Sequence, residues 1–321
     1  GMEAFRENFA GEHAPLLYTC GNATWSAADS IREDFLLTAM LGGPIGFSCD
    51  LTAIPTGSFE KLRNTVAEYK KETSIVFTGD IGFDRYMDKK WLDDELLSED
   101  ILEFLRSADH VAAGVEGTLI SASDDGSRGV FFHSMDPDAV KFLRRIDADI
   151  WCIGNNHTMD AGAAGVVNTK KLAAEEGALT IGAGLNIEEA STPIFINEAG
   201  GIGMFEVAYQ AECIPATEIS AGIFRWDDTE RIARRISEIK SKCRWCIVVA
   251  HGGEEFAPLP NPYTRDRYIK FLELGADAVV AHHTHVPENY ELFDNGKAIF
   301  YSLGNFIFDT NYQRVHLYTD L

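Results

Sequence analysis

Six short apolar runs in this chain each deliver a residue of the kind that binds metal or moves protons, and that pattern constrains the fold most. The run at 74–77 leads into Gly79-Asp80, the run at 111–115 into Glu116, and the run at 150–153 into Gly154-Asn155-Asn156-His157. Further on, 246–250 leads into His251, 278–281 into His282-His283-Thr284-His285, and 299–303 into Gly304-Asn305. Five of the nine histidines stand at these run ends. Short, nearly continuous apolar runs read as buried strands of an α/β sheet. Loops at the carboxyl ends of such strands converge on one crevice, so residues distant in sequence meet there. Carboxylate, amide oxygen and imidazole are together the donor set of a divalent-metal site. The pattern points to a metal-dependent hydrolase.

Amphipathic stretches separate the runs and predict an α/β layered fold from Thr73 onwards. Helices are expected over 91–104, after the Asp136-Pro137 cap, over 166–176 up to Gly177, from Thr229 through Ile239, and from Thr264 to a stop at Gly275. Residues 121–129, with Asp124-Asp125-Gly126, read as a solvated loop. Residues 1–72 carry no evident chemistry and read as an N-terminal, mainly helical accessory segment, with helices expected at 31–41 and 59–69. The division expected is therefore 1–72 and 73–321.

The excess of 50 acidic over 28 basic residues gives a net charge of −22, which repels nucleic acid and anionic membranes at long range. A polyanionic substrate then needs a local reversal of potential, for which Arg85 beside bound cations is the candidate. No apolar stretch approaches the roughly 20 residues that span a bilayer. The start, Gly1-Met2-Glu3, lacks the order of a signal peptide, and Gly1 reads as an expression remnant ahead of which a leader is compatible. Six scattered cysteines, including the lone pair Cys243 and Cys246, read as core thiols and favour a reducing, cytoplasmic setting.

Each motif alone has an ordinary explanation. His283-Thr284-His285 can cap a turn, Asn155 can cap a helix, Gly79-Asp80 can be a turn, and Glu116 can lie on the surface. Their joint placement at strand ends, together with His251, favours a site.

The order of the motifs makes a resemblance specific. Gly79-Asp80-Ile81-Gly82-Phe83-Asp84-Arg85, Val115-Glu116-Gly117 and Asn155-Asn156-His157-Thr158-Met159-Asp160-Ala161-Gly162 come first. Gly182-Ala183-Gly184, Asn186, Glu189-Ala190 and Pro193 follow, then His282-His283-Thr284-His285-Val286 and Tyr301-Ser302-Leu303-Gly304-Asn305-Phe306. In this order the chain resembles the CapA-type bacterial capsule-synthesis family, associated with poly-γ-glutamate, across 73–309. That resemblance implies a metallophosphoesterase-like β-sandwich flanked by helices, with two divalent ions (manganese, iron or zinc) at the strand ends. It implies Asp80, Glu116, Asn156, His251, His283 and His285 as ligands, His157 as the acid–base residue, and Asp160 as the carboxylate orienting it. Arg85 and Asn305 would line the substrate pocket.

The chain departs from this pattern at a few positions. Metallophosphoesterases carry Asp-x-His at the first motif, whereas Asp80 here precedes Ile81-Gly82, so one ion is expected to be weakly held. Gly252 and Thr284 stand where relatives usually have an aromatic and a proline. Glu255 keeps an acidic position, and Phe256 replaces a tyrosine. The expected activity is hydrolysis of a phosphorylated or anionic small molecule or polymer. The alternative is a weakly catalytic or non-catalytic metal- and polymer-binding accessory working with an envelope-synthesis partner. Hydrolysis of glutamyl amides is a third reading.

Overall fold

Alternation along the apolar runs builds two stacked sheets. In the computed structural model the described residues are 73–120, 132–197 and 201–309, with the backbone of 17–20. The helices expected at 31–41 and 59–69 and the loop at 121–129 lie outside them.

The strands of the two sheets, in chain order, are β1 (Leu17–Cys20), β2 (Ile75–Ile81), β3 (His110–Val115), β4 (Ala148–Cys152), β5 (Leu179–Ile181) and β6 (Ile194–Ile196). They continue with β7 (Ile202–Tyr209), β8 (Trp245–Gly252), β9 (Ala278–His282), β10 (Tyr290–Leu292), β11 (Ala298–Phe300) and β12 (Asn305–Ile307). The helices are α1 (Glu99–Ser107), α2 (Val140–Arg145), α3 (Gly162–Glu175), α4 (Ile187–Ser191), α5 (Thr229–Lys242) and α6 (Pro262–Glu273). The first sheet runs β1-β2-β3-β4-β5, with β12 paired beside the end of β2, and all its pairs are parallel. The second runs β10-β11-β9-β8-β7-β6, parallel except at its two outer pairs.

Successive side chains on a strand face opposite sides, and each central strand accordingly feeds two cores. Ile75 and Phe77 of β2, Ile150 of β4, Met204 of β7, Ile247 and Val249 of β8 and Val280 of β9 meet between the sheets. Val76, Val111 and Trp151 face outward onto Leu102, Leu105, Phe142 and Leu143 of α1 and α2. On the other side, Phe205, Val207 and Val248 pack under Ile232, Ile236 and Ile239 of α5 and Tyr268 and Phe271 of α6. The layered sandwich flanked by helices is thus the observed fold. No helix among the described residues is long and apolar enough to cross a membrane.

The helical periodicity is right in place but not always in extent. The helix expected over 91–104 is a 3-10 turn at Lys90–Leu92 followed by α1, because the polar stretch Asp93-Asp94-Glu95 breaks the run. Asp136 accepts from the Asp138 N–H ahead of α2, as expected. Asp228 caps α5, and Asn261 followed by Pro262 opens α6, in each case ahead of the threonine that marks the start in sequence. Cys152, Cys213, Cys243 and Cys246 are all buried, and none of the four forms a disulfide.

Candidate metal centre

The carboxyl ends of β2, β3, β4, β8 and β9 come together at one rim. Asp80, fully buried within β2, pairs in register with Gly114 of β3 and Asn305 of β12. One of its oxygens, Oδ2, accepts the His283 N–H at 3.1 Å, while Oδ1 has no hydrogen-bond partner and lies 3.8 Å from His251 Nδ1. Glu116 follows β3, its own N–H bonded to the Ile81 carbonyl at 3.0 Å. Both its oxygens are buried without a hydrogen-bond partner, and Oε1 lies 3.7 Å from His285 Nε2 and 3.9 Å from His157 Nε2.

The turn after β9 explains how adjacent histidines take different jobs. His282 still points as a strand residue and its Nε2 meets the Thr78 carbonyl at 2.9 Å, a strut between sheets. His283 and His285 adopt left-handed backbone, with φ of 95° and 59°, which swings both rings to the rim. Thr284 braces this turn by donating Oγ1–H to the Val286 carbonyl at 2.8 Å. His285 Nδ1 lies 2.8 Å from Asn305 Oδ1, which leaves Nε2 directed at Glu116. His283 stands 5.0 Å from His251 between ring centroids, its Nδ1 buried and unpartnered.

The turn after β4 carries the third cluster. Asn155 is its brace: the amide donates to the Val115 carbonyl at 2.8 Å, and Oδ1 accepts from the Gly117 and His157 N–H groups. Asn156 is thereby presented to the other sheet, its Oδ1 2.9 Å from His251 Nε2. His157 Nδ1 lies 2.8 Å from Asp160 Oδ2, which orients Nε2 towards Glu116. Arg85 sits in a 3-10 turn at φ 51°, its Nε 3.9 Å from Asp84 Oδ2.

Two residues at this rim carry no signal in the motifs. His133 follows the 121–131 stretch, and its ring lies 4.1 Å from that of His157, with Nδ1 2.8 Å from Asp84 Oδ2. Its N–H donates to the same Asp160 oxygen that His157 uses, at 2.7 Å. Glu206, buried in β7, accepts the Gly154 N–H at 2.6 Å. Glu206 interrupts an apolar run instead of ending one, and His133, although it follows Val130-Phe131-Phe132, belongs to none of the motifs, which is why sequence reasoning passes over them.

Burial dominates the electrostatics. It pushes the Asp80 carboxyl up to about 7, against the His283 hydrogen bond that lowers it. Burial, then the charge of Asp80, raises Glu116 well above the ordinary carboxylate range. Burial and neighbouring imidazoles lower His251 and His283, and burial brings His285 down to about 4. Neutral imidazoles facing buried carboxylates are what a cation needs, since ligands must be unprotonated to bind. Without a cation, buried carboxylate oxygens lacking partners are costly. The donor atoms of Asp80, Glu116 and His285 lie within 4.8 Å of one another, a group that can hold a metal ion.

The departure at Gly82 has a structural counterpart. A Cβ there would lie 2.6 Å from the Phe308 ring, which itself packs 4.8 Å from the His285 ring. An aromatic side chain fills the space a histidine would need. At Gly252, similarly, a Cβ would lie 2.8 Å from the buried Trp226 indole.

Comparison with known proteins shows the family. The chain is 28% identical over 249 residues to the PGA biosynthesis protein CapA of Bacillus subtilis (strain 168), covering 75% of this chain and 64% of that protein. It is 27% identical over 220 residues to the capsule biosynthesis protein CapA of Bacillus anthracis, covering 66% and 53%. A probable polyglutamine synthesis accessory protein of Mycobacterium tuberculosis is 23% identical over 207 residues, covering 61% and 54%. The chain thus spans between about half and just under two thirds of the length of these relatives. The model of the bacterial capsule synthesis protein family PGA_cap matches residues 74–310, from the strand bearing Asp80 to just beyond Phe308, and the chain belongs to that family.

Proposed function

We propose that this protein is a metal-dependent hydrolase of phosphate esters serving capsule or poly-γ-glutamate synthesis. The observation that carries the reading is the trio of buried Asp80 and Glu116 with half-buried His285, with unpartnered carboxylate oxygens, beside the His157–Asp160 pair. Asp80, Glu116, Asn156, His251, His283 and His285 would hold up to two divalent cations, manganese, iron or zinc. Bound there, such cations supply charge neutralisation of a phosphoryl group and activation of water.

The remaining work belongs to the chain's own side chains. Asp160 holds the proton on His157 Nδ1, so that His157, when charged, gives the Nε2 proton to the departing oxygen. Asn305 fixes the His285 ring. Arg85 supplies positive charge on a chain of net charge −22, which an anionic substrate requires. The buried free thiols fit a reducing compartment.

A second reading, a weakly catalytic metal- and polymer-binding accessory with an envelope-synthesis partner, is favoured by one observation. Phe308 fills the place of a first-motif histidine, so one cation has fewer protein donors. A panel of phosphomonoesters, phosphodiesters and γ-glutamyl peptides, assayed with added manganese, iron or zinc, separates the readings. The hydrolase reading expects metal-dependent turnover of a phosphate ester. Polymer binding without turnover of any substrate would favour the accessory, and cleavage of the peptides alone would redirect the reaction to amides.

A further inference from the structure

The candidate ligands are divided between the sheets: Asp80, Glu116 and Asn156 come from the first, and His251, His283 and His285 from the second. Their mutual placement therefore depends on how the β4 turn is held against the second sheet. Glu206 does this. Strand alternation puts it on the same inter-sheet face of β7 as Ile202 and Met204, both members of the apolar core there. Its Oε2 accepts the Gly154 N–H at 2.6 Å, while the neighbouring Ile153 N–H goes to the Ile181 carbonyl at 3.0 Å. Among the described residues it forms no ion pair.

The surroundings are shaped around this carboxylate. A Cβ on Gly182 would lie 2.2 Å from Glu206 Oε2 and 2.7 Å from the Gly154 Cα, and Gly182 has a left-handed φ of 95°. Two glycines thus leave room for a charged-type side chain in an otherwise apolar layer. An apolar residue would satisfy the layer at lower cost, because buried carboxylates without a cation are unfavourable. It would leave the Gly154 N–H, two residues before Asn156, without this acceptor.

We propose that Glu206 is a positioning residue of the metal centre: reaching across from the second sheet, it fixes the Gly154–His157 turn so that Asn156 meets His251 and His157 meets Glu116. This inference rests on the metal-centre reading above. Glu206→Gln replaces the charged acceptor of the Gly154 N–H by a weaker neutral one, which loosens the turn. Glu206→Met keeps the layer filled and removes the acceptor of the Gly154 N–H.

The test is Mn²⁺ titration of the wild-type chain, Glu206→Gln, Glu206→Met, Asn156→Ala and the double variant Glu206→Gln/Asn156→Ala, with thermal unfolding of each metal-free protein. We expect the Glu206 variants to fold and to lose about 10–100-fold in Mn²⁺ affinity, the range for residues that orient ligands. The double variant should lose no more than Asn156→Ala alone, since both changes act through one side chain. Folded Glu206 variants with wild-type Mn²⁺ affinity, or losses that multiply in the double variant, would overturn the positioning role while leaving the metal centre standing. If neither Glu206 variant folds, the residue serves folding and the proposal is overturned. A wild-type chain that binds no Mn²⁺ would overturn the metal-centre reading and this inference with it.

Discussion

His157 and Asn156 are neighbours in sequence with opposite facings, and their roles separate experimentally. Asn156 points across to His251 and His157 to Glu116 and Asp160. His157→Ala should retain bound metal and lose about 10²–10⁴-fold in turnover of poorly activated esters, the range for a general acid. Metal loss with full activity per bound ion would mean that the two assignments are exchanged. Gly82 offers a second residue-scale test. Gly82→His alone should destabilise the fold without tightening metal binding, because its Cβ would lie 2.6 Å from Phe308. Combined with Phe308→Ala, the histidine has room, and the weaker cation should bind more tightly in a calorimetric titration. Tighter binding by Gly82→His alone would show that Phe308 yields easily.

At the scale of elements, the turn between β4 and α3 organises the centre, and Asn155 holds it. Its amide bonds the end of β3 through Val115 and Gly117 and also holds the His157 N–H, all buried. Asn155→Ala leaves those groups unpaired and should cost about 1–3 kcal/mol in urea unfolding of the metal-free protein. An unchanged unfolding midpoint would assign the bracing to other contacts. The elements that carry the centre are legible in the chain because each is an apolar run that ends abruptly in a polar residue. Asp80, His251 and the cluster His282 to His285 stand at such ends, whereas the choice of ligands among them is what the family resemblance implies. What escapes it is set by tertiary contact. Leu17–Cys20 reads as part of a mainly helical segment yet pairs in parallel with β2. Glu206 interrupts an apolar strand, and His133 reaches His157 only through the fold. The helix over 91–104 fails for a local reason, since its apolar spacing bridges a polar break that ends one turn and starts another.

For the whole molecule, the buried acids and imidazoles tie stability, and the proposed metal binding with it, to pH. Asp80 has a folded pKa raised to about 7 from 3.8, so the metal-free fold binds its proton more tightly than the unfolded chain. Its contribution therefore falls as pH rises from about 4 to about 7. His285, lowered to about 4 from 6.5, acts in the opposite sense: its contribution is present above pH 6.5 and is lost as pH falls towards 4. A cation needs both unprotonated, so affinity should climb between pH 4 and 7, with proton release on binding at pH 6. Calorimetry in two buffers of different ionisation enthalpy measures that release, and Asp80→Asn should diminish it. Binding without proton release at pH 6 would place the cation away from Asp80.

The central claim, that the rim joining the two sheets is a metal-dependent hydrolytic centre, is tested most directly by phosphate-ester turnover in the intact chain, stripped with chelator and reconstituted. The account predicts no turnover in the stripped protein and recovery with manganese, iron or zinc at no more than two ions per chain. It further predicts one ion retained through dialysis, and neither metal nor turnover in His283→Ala/His285→Ala. Turnover that survives chelation, or a reconstituted protein that takes up no metal, would contradict it.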